Sequence, residues 1–567
     1  MKPARPAWDH LIGLALAAGY VTWLVITSRT LGFARDEGFY FQAASDYARW
    51  FDLLWHQGAK ALERSTIDRY WADNHEHPSL LKSLFGISWL LLHEKWKLID
   101  QASLTFRLPG MLLAGLAVWI THVFGARAYG RWAGVMAAVL FALMPRVFYH
   151  SHLAAFDIGI VTMWTLSIFV YWKASQRGGV LWPILTGLVY GLTLDTKHNA
   201  WILPAVMLAH AAFTLVSRSL RGIRTARFAI PGALLAMASL GPLLMFALWP
   251  WIWHDTVDRL RWYASFHLHH EYYNMEFLGR NYFLNPSPRA YLPVMVLATV
   301  PSITLLLFGV GLGERVQQAW KGLLTWLRER KMDKPASGPS ADESALLPAQ
   351  PTADTDVLVV LALAAAVSPW LLSTNTPIFG GTKHWMPAYP FLCLLAGRGF
   401  QLVMGRLKDA FPKLSFGRAV PATAGLAAVC VAAPLAETIH SHPFGLTSYV
   451  PLVGGTEGAA DLGLNRQFWG FTTQSANAWL SKNAPRGATV FIHDTSWQSW
   501  AQMIVENRVR SDLRGVGTPG EAQFSLVHHE LHMNEVDFTI WIAYGTDAPV
   551  FVVTHDGVPV VSIYRRP

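Results

Sequence analysis

The sequence predicts an all-α polytopic membrane protein of about eleven transmembrane helices, closed by a small C-terminal α/β or α+β domain outside the membrane. Three observations carry that reading. Hydrophobic residues make up 52% of the 567 residues and charged residues only 15%, against about 25% charged in an ordinary globular protein. Apolar runs of spanning length recur from residue 9 to residue 437. From residue 439 onward they give way to short segments of strand and helix character.

The runs fall near 9–28, 104–124, 131–148, 153–173, 180–196, 199–217, 228–250, 290–313, 356–373, 385–404 and 419–437. Pro145, Pro183, Pro204, Pro231 and Pro242 stand where such helices begin, end or kink. The first run lacks a small-residue cleavage site and leads straight into a charged segment, so it reads as a helix and not as a removable signal. With Lys2 and Arg5 in the cytoplasm, alternate loops fall inside. They hold Arg127 and Arg131; Lys173 and Arg177; Arg218, Arg221, Arg224 and Arg227; and Arg406, Lys408, Lys413 and Arg418. Only this orientation satisfies the positive-inside rule. The formal net charge of +9 therefore reflects membrane topology, and no nucleic-acid partner is expected.

Domain boundaries follow from the same pattern. Residues 1–438 form the membrane domain, with a first outer loop at 31–102 and a cytoplasmic linker loop at 314–355 that turns from basic to Pro-, Ser- and Ala-rich. Residues 439–567 form the outer domain. There, 488–494 reads as a buried strand, 496–509 as a helix, 538–545 as another strand, and the chain closes on a hairpin about His555, Asp556 and Gly557. The two cysteines, Cys393 and Cys430, lie inside apolar runs and build neither a disulfide framework nor a Cys-based zinc module.

Chemically unusual residues gather on the outer side. Asp36 and Glu37 follow the first run, where an acidic first turn suits either a helix cap or a general base that removes a proton from an acceptor. His75, Glu76 and His77 form either a wet loop or a divalent-metal set. Lys197 and His198, and again Lys383 and His384, stand at membrane boundaries. Cations there either anchor helix ends or hold a lipid phosphate and stabilise it as it leaves. Arg280 follows a His-rich, aromatic loop at 251–289 and is suited to fork onto a phosphate. Neither a phosphate-binding GxxxxGK[ST] loop nor a GxSxG elbow occurs in a convincing context, which argues against an ATP-driven pump and a serine hydrolase.

In order and sidedness, Arg35-Asp36-Glu37, Glu76-His77-Pro78-Ser79-Leu80, Arg107-Leu108-Pro109, Phe156-Asp157, Thr196-Lys197 and Trp385-Met386-Pro387-Ala388-Tyr389-Pro390 resemble glycosyltransferase family 39. The family includes the protein O-mannosyltransferases and, as a close relative, the bacterial aminoarabinose transferase. The resemblance covers roughly 1–440 and extends to the segment 445–470. It implies a GT-C fold and an inverting transfer from a polyprenyl-phosphate-linked sugar to an envelope acceptor, in the bacterial inner membrane with the site on the periplasmic face. It further implies Asp36, with Glu37, as the base and Lys197 as a phosphate ligand. Arg280, Lys383, His384, His77 and Arg107 are expected to join that ligand set, with Asp157, Glu76 and His198 in support. Where aminoarabinose transferases carry Glu-Lys-Pro, this chain has Glu76-His77-Pro78, a titratable imidazole in place of a fixed cation. The donor is a substrate and not a cofactor, and a divalent cation stays open. A lipid flippase or transporter remains the alternative, because membrane-facing charges also line transport pathways. A third reading is a sensor or assembly protein whose outer tail binds a partner.

Overall fold

A computed structural model describes residues 6–177, 179–220, 229–272, 274–284, 286–331, 353–376, 378, 380–410, 416–530 and 534–567. Lys2, Arg5, Arg221, Arg224, Arg227, Lys413 and most of the expected linker loop lie outside them.

Every one of the eleven apolar runs falls on helix. These are α1 (Pro6–Thr27), α5 (Ala102–Ala128), α6 (Arg131–Ala142) with α7 (Pro145–Ser151), α8 (Phe156–Gln176), α9 (Leu181–Leu194), α10 (Leu203–Leu220), α11 (Ala229–Leu248), α13 (Tyr291–Thr299) with α14 (Ser302–Lys331), α15 (Ala353–Leu372), α16 (Tyr389–Ala410) and α17 (Phe416–Ser441). Among the described residues, seven are long and apolar enough to cross a membrane as single helices, and nine if each bent pair is one span. Of the remaining runs, two are bent at breaks, one is short and one turns polar along its length. Pro145 and Pro301 stand at breaks of 71° and 116°, because proline removes a backbone donor and disfavours helix in the residue before it. The α9 helix is short, and α16 turns polar after Gly397, where Arg398 pairs with Glu314 at 3.1 Å.

Small residues set the closest helix contacts. A Cβ on Gly311 of α14 would lie 1.9 Å from the Leu395 carbonyl, and one on Gly399 of α16 would lie 1.9 Å from that of Leu307. Only glycine lets these two backbones touch, as small residues do at membrane helix interfaces.

The expected first loop contains α2 (Arg35–Gln57), α3 (Arg64–Trp71) and α4 (Leu80–Trp89). After α11 come α12 (Thr256–Leu268) and a two-stranded hairpin, β1 (Met275–Phe277) with β2 (Arg280–Tyr282). The helical body has two distinct ends. At one, Arg131 binds Asp9 at 2.6 Å and Arg315 reaches Asp356 at 3.3 Å. The candidate site residues gather at the other.

The tail holds α18 (Gly455–Asp461), α19 (Thr473–Asn483), α20 (Trp497–Val505) and α21 (Asn534–Tyr544) around a five-stranded sheet. Its strands are β3 (Thr489–Ile492), β4 (Arg514–Val516), β5 (Phe524–His528), β6 (Phe551–His555) and β7 (Val558–Arg565), in the order β4-β3-β5-β7-β6. The β3 strand runs parallel to β4 and β5, while β7 is antiparallel to β5 and β6. One expectation is corrected here: 538–545 is helix. Glu535 and Asp537 form an acidic first turn, and Val536, Ile540 and Tyr544, spaced four apart, pack with Val527 and Tyr564 while Phe538 and Ile542 face outward. That is a helical stripe and not a strand alternation.

Tail and membrane body are packed together. The α20 helix lies against the start of α2, where Ser496 Oγ donates to the Arg35 carbonyl at 2.8 Å and Ser499 Oγ to that of Ala34 at 3.1 Å. A Cβ on Gly38 would fall 2.3 Å from Ser496 Oγ, so glycine is what allows this contact.

Candidate active site

The two neighbouring carboxylates of α2 have opposite surroundings. Glu37 is fully buried and accepts from Arg107 Nε at 2.8 Å, Arg107 Nη2 at 2.7 Å and the amides of Ala34 and Ala154, each at 3.0 Å. It caps its own helix and ties α2 to α5 and to the turn before α8. Arg107 spends its remaining donors on the Gly32 carbonyl at 2.8 Å and, more weakly, on those of Ser28 and Leu31. Glu37 and Arg107 therefore form a closed pair whose hydrogen-bonding groups are engaged with each other and with nearby backbone.

Asp36 keeps 23% of its side chain exposed, and its contact among the described residues is a 3.4 Å approach by Arg35 Nε. The Arg35 guanidinium is turned toward the tail, with Nη1 at 2.7 Å from Asp494 Oδ1.

Lys383, on the short 3-10 turn Gly381–His384 before α16, points its Nζ at the Trp469 ring, 3.9 Å from the centroid. Burial pulls this ammonium down to about 8, Asp157 and Asp36 pull it back up, and Lys197 and Arg35 push it down, so all four lie in its field. Lys197 Nζ is 2.9 Å from Asp157 Oδ1, and His150 Nδ1 is 3.2 Å from the other oxygen of that carboxylate. Asp157 sits in the first turn of α8, where the helix N-terminus favours an anion.

The imidazoles form a layer beside this pair. His198 stacks on His267 with centroids 4.1 Å apart, His77 lies 5.9 Å from His267 and 4.6 Å from Phe156, and His267 Nε2 meets the Glu76 carbonyl at 2.8 Å. Burial pushes the His77 imidazole well below its ordinary value, and His267, Lys82, Lys197 and His198 push it further. These surroundings disfavour the cationic form of the ring. The cation of that loop is Lys82, buried in α4, whose Nζ donates to the carbonyls of His77 (2.9 Å) and Asn74. Burial lowers it to about 7. His384 tilts over Trp370 at 5.5 Å. Glu76 accepts from Asn74 Nδ2 at 2.6 Å, and His75 stacks on Trp251 at 4.5 Å. No three of His75, Glu76, His77 and their neighbours converge as metal ligands among the described residues.

Arg280 is not brought to this cluster. It stands exposed on β2, on a hairpin whose Gly279 amide bonds the Gly463 carbonyl at 2.9 Å. Arg146 takes the more central place. It lines a cavity of about 280 Å³ with Arg35, Tyr291, Thr382, Trp469, Asp494 and Glu530. Burial pushes the carboxyls of Asp494 and Glu530 up, Glu530 well above the usual range, where the nearby Asp494 adds to the effect. Sequence reasoning missed Arg146, His150, Lys82, Trp469, Asp494 and Glu530. Asp494 closes the expected strand 488–494 and Trp469 lies in the segment already singled out, but nothing local to either residue points to the membrane cluster.

The cluster thus sets a partly exposed carboxylate and buried cations next to residues, Arg35, Thr382 and Trp469, that line a polar, aromatic cavity. Chemically, such a carboxylate is suited to accept a proton and such cations to hold an anion.

Residues 85–246 match the family model described as dolichyl-phosphate-mannose-protein mannosyltransferase. The stretch takes in Arg107, Asp157, Lys197 and His198. Among solved structures, the chain is similar to ArnT from Cupriavidus metallidurans bound to undecaprenyl phosphate, with a TM-score of 0.45 and 14% identity over 99% of this chain and 98% of that one. It is also similar to the oligosaccharyltransferase AglB from Archaeoglobus fulgidus in complex with an inhibitory peptide and a dolichol-phosphate, with a TM-score of 0.47 and 12% identity over 91% of this chain and 65% of that one. No curated protein matches the chain. The motif resemblance to glycosyltransferase family 39 is thereby supported by an independent finding: through residues 85–246, this chain is similar to the dolichyl-phosphate-mannose-protein mannosyltransferases.

Proposed function

We propose that the chain is an inverting glycosyltransferase of GT-C type that moves a hexosyl or pentosyl group from a polyprenyl-phosphate-linked donor to a glycan, lipid or protein acceptor. The observation that carries the reading is that Lys383 lies in the electrostatic field of Asp36 and of the Lys197–Asp157 pair, while their neighbours Arg35, Thr382 and Trp469 line one cavity. Placed on the outer face of a bacterial inner membrane, as the Lys and Arg distribution directs, this cluster lies at headgroup depth.

In this mechanism Asp36 takes the acceptor proton as the acceptor oxygen or nitrogen attacks the anomeric carbon. The bond from that carbon to the lipid phosphate oxygen breaks on the opposite face, and configuration inverts. The phosphate leaves as an anion toward Lys383 and Lys197, so fixed cations serve better than a general acid. Asp157 and His150 orient Lys197 and limit its freedom. The lipid supplies the leaving group, so no nucleotide-binding fold is needed.

The test is transfer in proteoliposomes holding purified protein and a panel of synthetic polyprenyl-phosphate sugars, paired with mass spectrometry of envelope glycans from cells with and without the protein. The expected result is one glycan mass difference that the matching donor restores in vitro. Identical envelope glycans together with no consumption of any donor would sink the reading.

A further inference from the structure

A second constellation lies where the last membrane helix meets the tail. The sequence Glu437-Thr438-Ile439-His440 places a carboxylate and an imidazole three residues apart on α17, a spacing that puts both on one helix face and that carboxylate-bridged metal proteins use. The β6–β7 turn brings His555 and Asp556 against that face from the tail.

His440 Nε2 lies 2.9 Å from Asp556 Oδ1 and 3.0 Å from Oδ2, and His555 Nε2 lies 3.6 Å from Oδ2. One ligand atom from each of the three residues falls within 4.8 Å of the others. Zinc bound at about 2.0–2.2 Å by nitrogen and oxygen needs its ligands about 3.3–3.5 Å apart, so small side-chain adjustments complete the geometry. Glu437 Oε2 is buried without a hydrogen-bond partner and lines the same cavity of about 410 Å³ as His440, Ser448 and Asp556. Thr456 Oγ1 donates to Asp556 Oδ2 at 2.8 Å, the kind of outer contact that orients a ligating carboxylate. Ser448 Oγ is 2.8 Å from His555 Nε2 and either supports that ring or gives way to the metal.

A plain surface ion pair accounts for His440 and Asp556 alone. It leaves unexplained why a second imidazole faces the same carboxylate and why Glu437 turns an orphaned oxygen into the cavity they share. Two imidazoles with one carboxylate, and room for water in the fourth position, suit zinc better than calcium or magnesium, which take oxygen ligands. We propose that His440, His555 and Asp556 form a zinc site that fastens the tail's terminal hairpin to the last membrane helix, with Glu437 lining the cavity beside it.

The test uses full-length, tag-free protein in detergent, stripped with EDTA, loaded with Zn²⁺ and freed of excess, with zinc counted by mass spectrometry. Wild type is expected to hold one equivalent that His440→Ala and Asp556→Asn each lose and His75→Gln keeps. His440 is largely exposed, so its replacement leaves the fold intact, which the melting temperature in EDTA checks. Zinc is expected to raise that temperature in wild type and not in His440→Ala. Wild type that retains no zinc, zinc content unchanged in His440→Ala, or retention of Mn²⁺ in place of Zn²⁺ would overturn the proposal.

Discussion

Glu37 and Asp36 are adjacent in the chain, yet they belong to two physically different regions. Glu37 lies in a closed polar core with two amides and a forked guanidinium on its carboxylate, every contact at 3.0 Å or less. Asp36 borders an open region, with one long contact and cations that surround it without binding it tightly. A carboxylate whose lone pairs are all taken holds structure together, whereas one left underused has capacity for a substrate proton. In this helix turn the number of donors, not position in a motif, separates a carboxylate that is fully engaged from one with capacity to spare.

The largest effect should come from breaking the closed region. Arg107→Met leaves the Glu37 charge buried and unpaired, and such losses cost about 3–5 kcal/mol. Thermal melting in detergent should show severe destabilisation or failure to accumulate, and a near-normal melting temperature would show that Glu37 is already satisfied by the two amides.

The open region should respond in rate and not in stability. Asp36→Asn keeps size but removes the proton acceptor, so transfer should fall by about 10²-fold or more with donor binding and melting unchanged. Undiminished turnover in the purified variant would move the base elsewhere in the cavity.

A third measurement separates charge from packing at Lys383. Burial holds this ammonium at about 8 against an ordinary 10.5. As pH rises through that value the cation is lost, so donor binding should weaken on the alkaline side, while a bound phosphate shifts the limb upward. Its stability contribution has the opposite sign. Between about 8 and 10.5 the unfolded chain binds more protons than the folded one, so stability from this group rises with pH across that window. Comparison of wild type with Lys383→Met in both assays isolates the group, and parallel pH profiles would remove Lys383 from the site.

The smallest effect concerns His77. Burial, then the neighbouring His267, Lys82, Lys197 and His198, push its imidazole well below the ordinary value. Below about pH 6.5 the unfolded chain protonates while the folded ring resists, so stability from this group is lost as pH falls. His77→Gln should therefore melt at more nearly the same temperature at pH 5 and pH 7 than wild type does, and equal pH sensitivity in the two proteins would indicate that the folded ring protonates freely.

Much of the frame is readable from residue order. Hydropathy and spacing are local, so the apolar runs, the helical start at Arg35, the strand at 489–492 and the terminal hairpin all fall where the sequence places them. The misreading of 538–545 arose because its dense apolar residues hide their period until the acidic turn at Glu535 and Asp537 is included.

What the sequence by itself determined is a chain of membrane helices with its unusual charges at one set of boundaries, because hydrophobicity and charge are properties of each residue. Only the tertiary structure decided which charges are spent and which are available. Glu37 meets Arg107 across 70 positions, Arg35 meets Asp494 across 459, and His440 meets Asp556 across 116. Arg146 faces the cavity while Arg280 stands away from the cluster. Ion pairing and burial depend on which surfaces pack together, and no local pattern in the chain records a partner so distant.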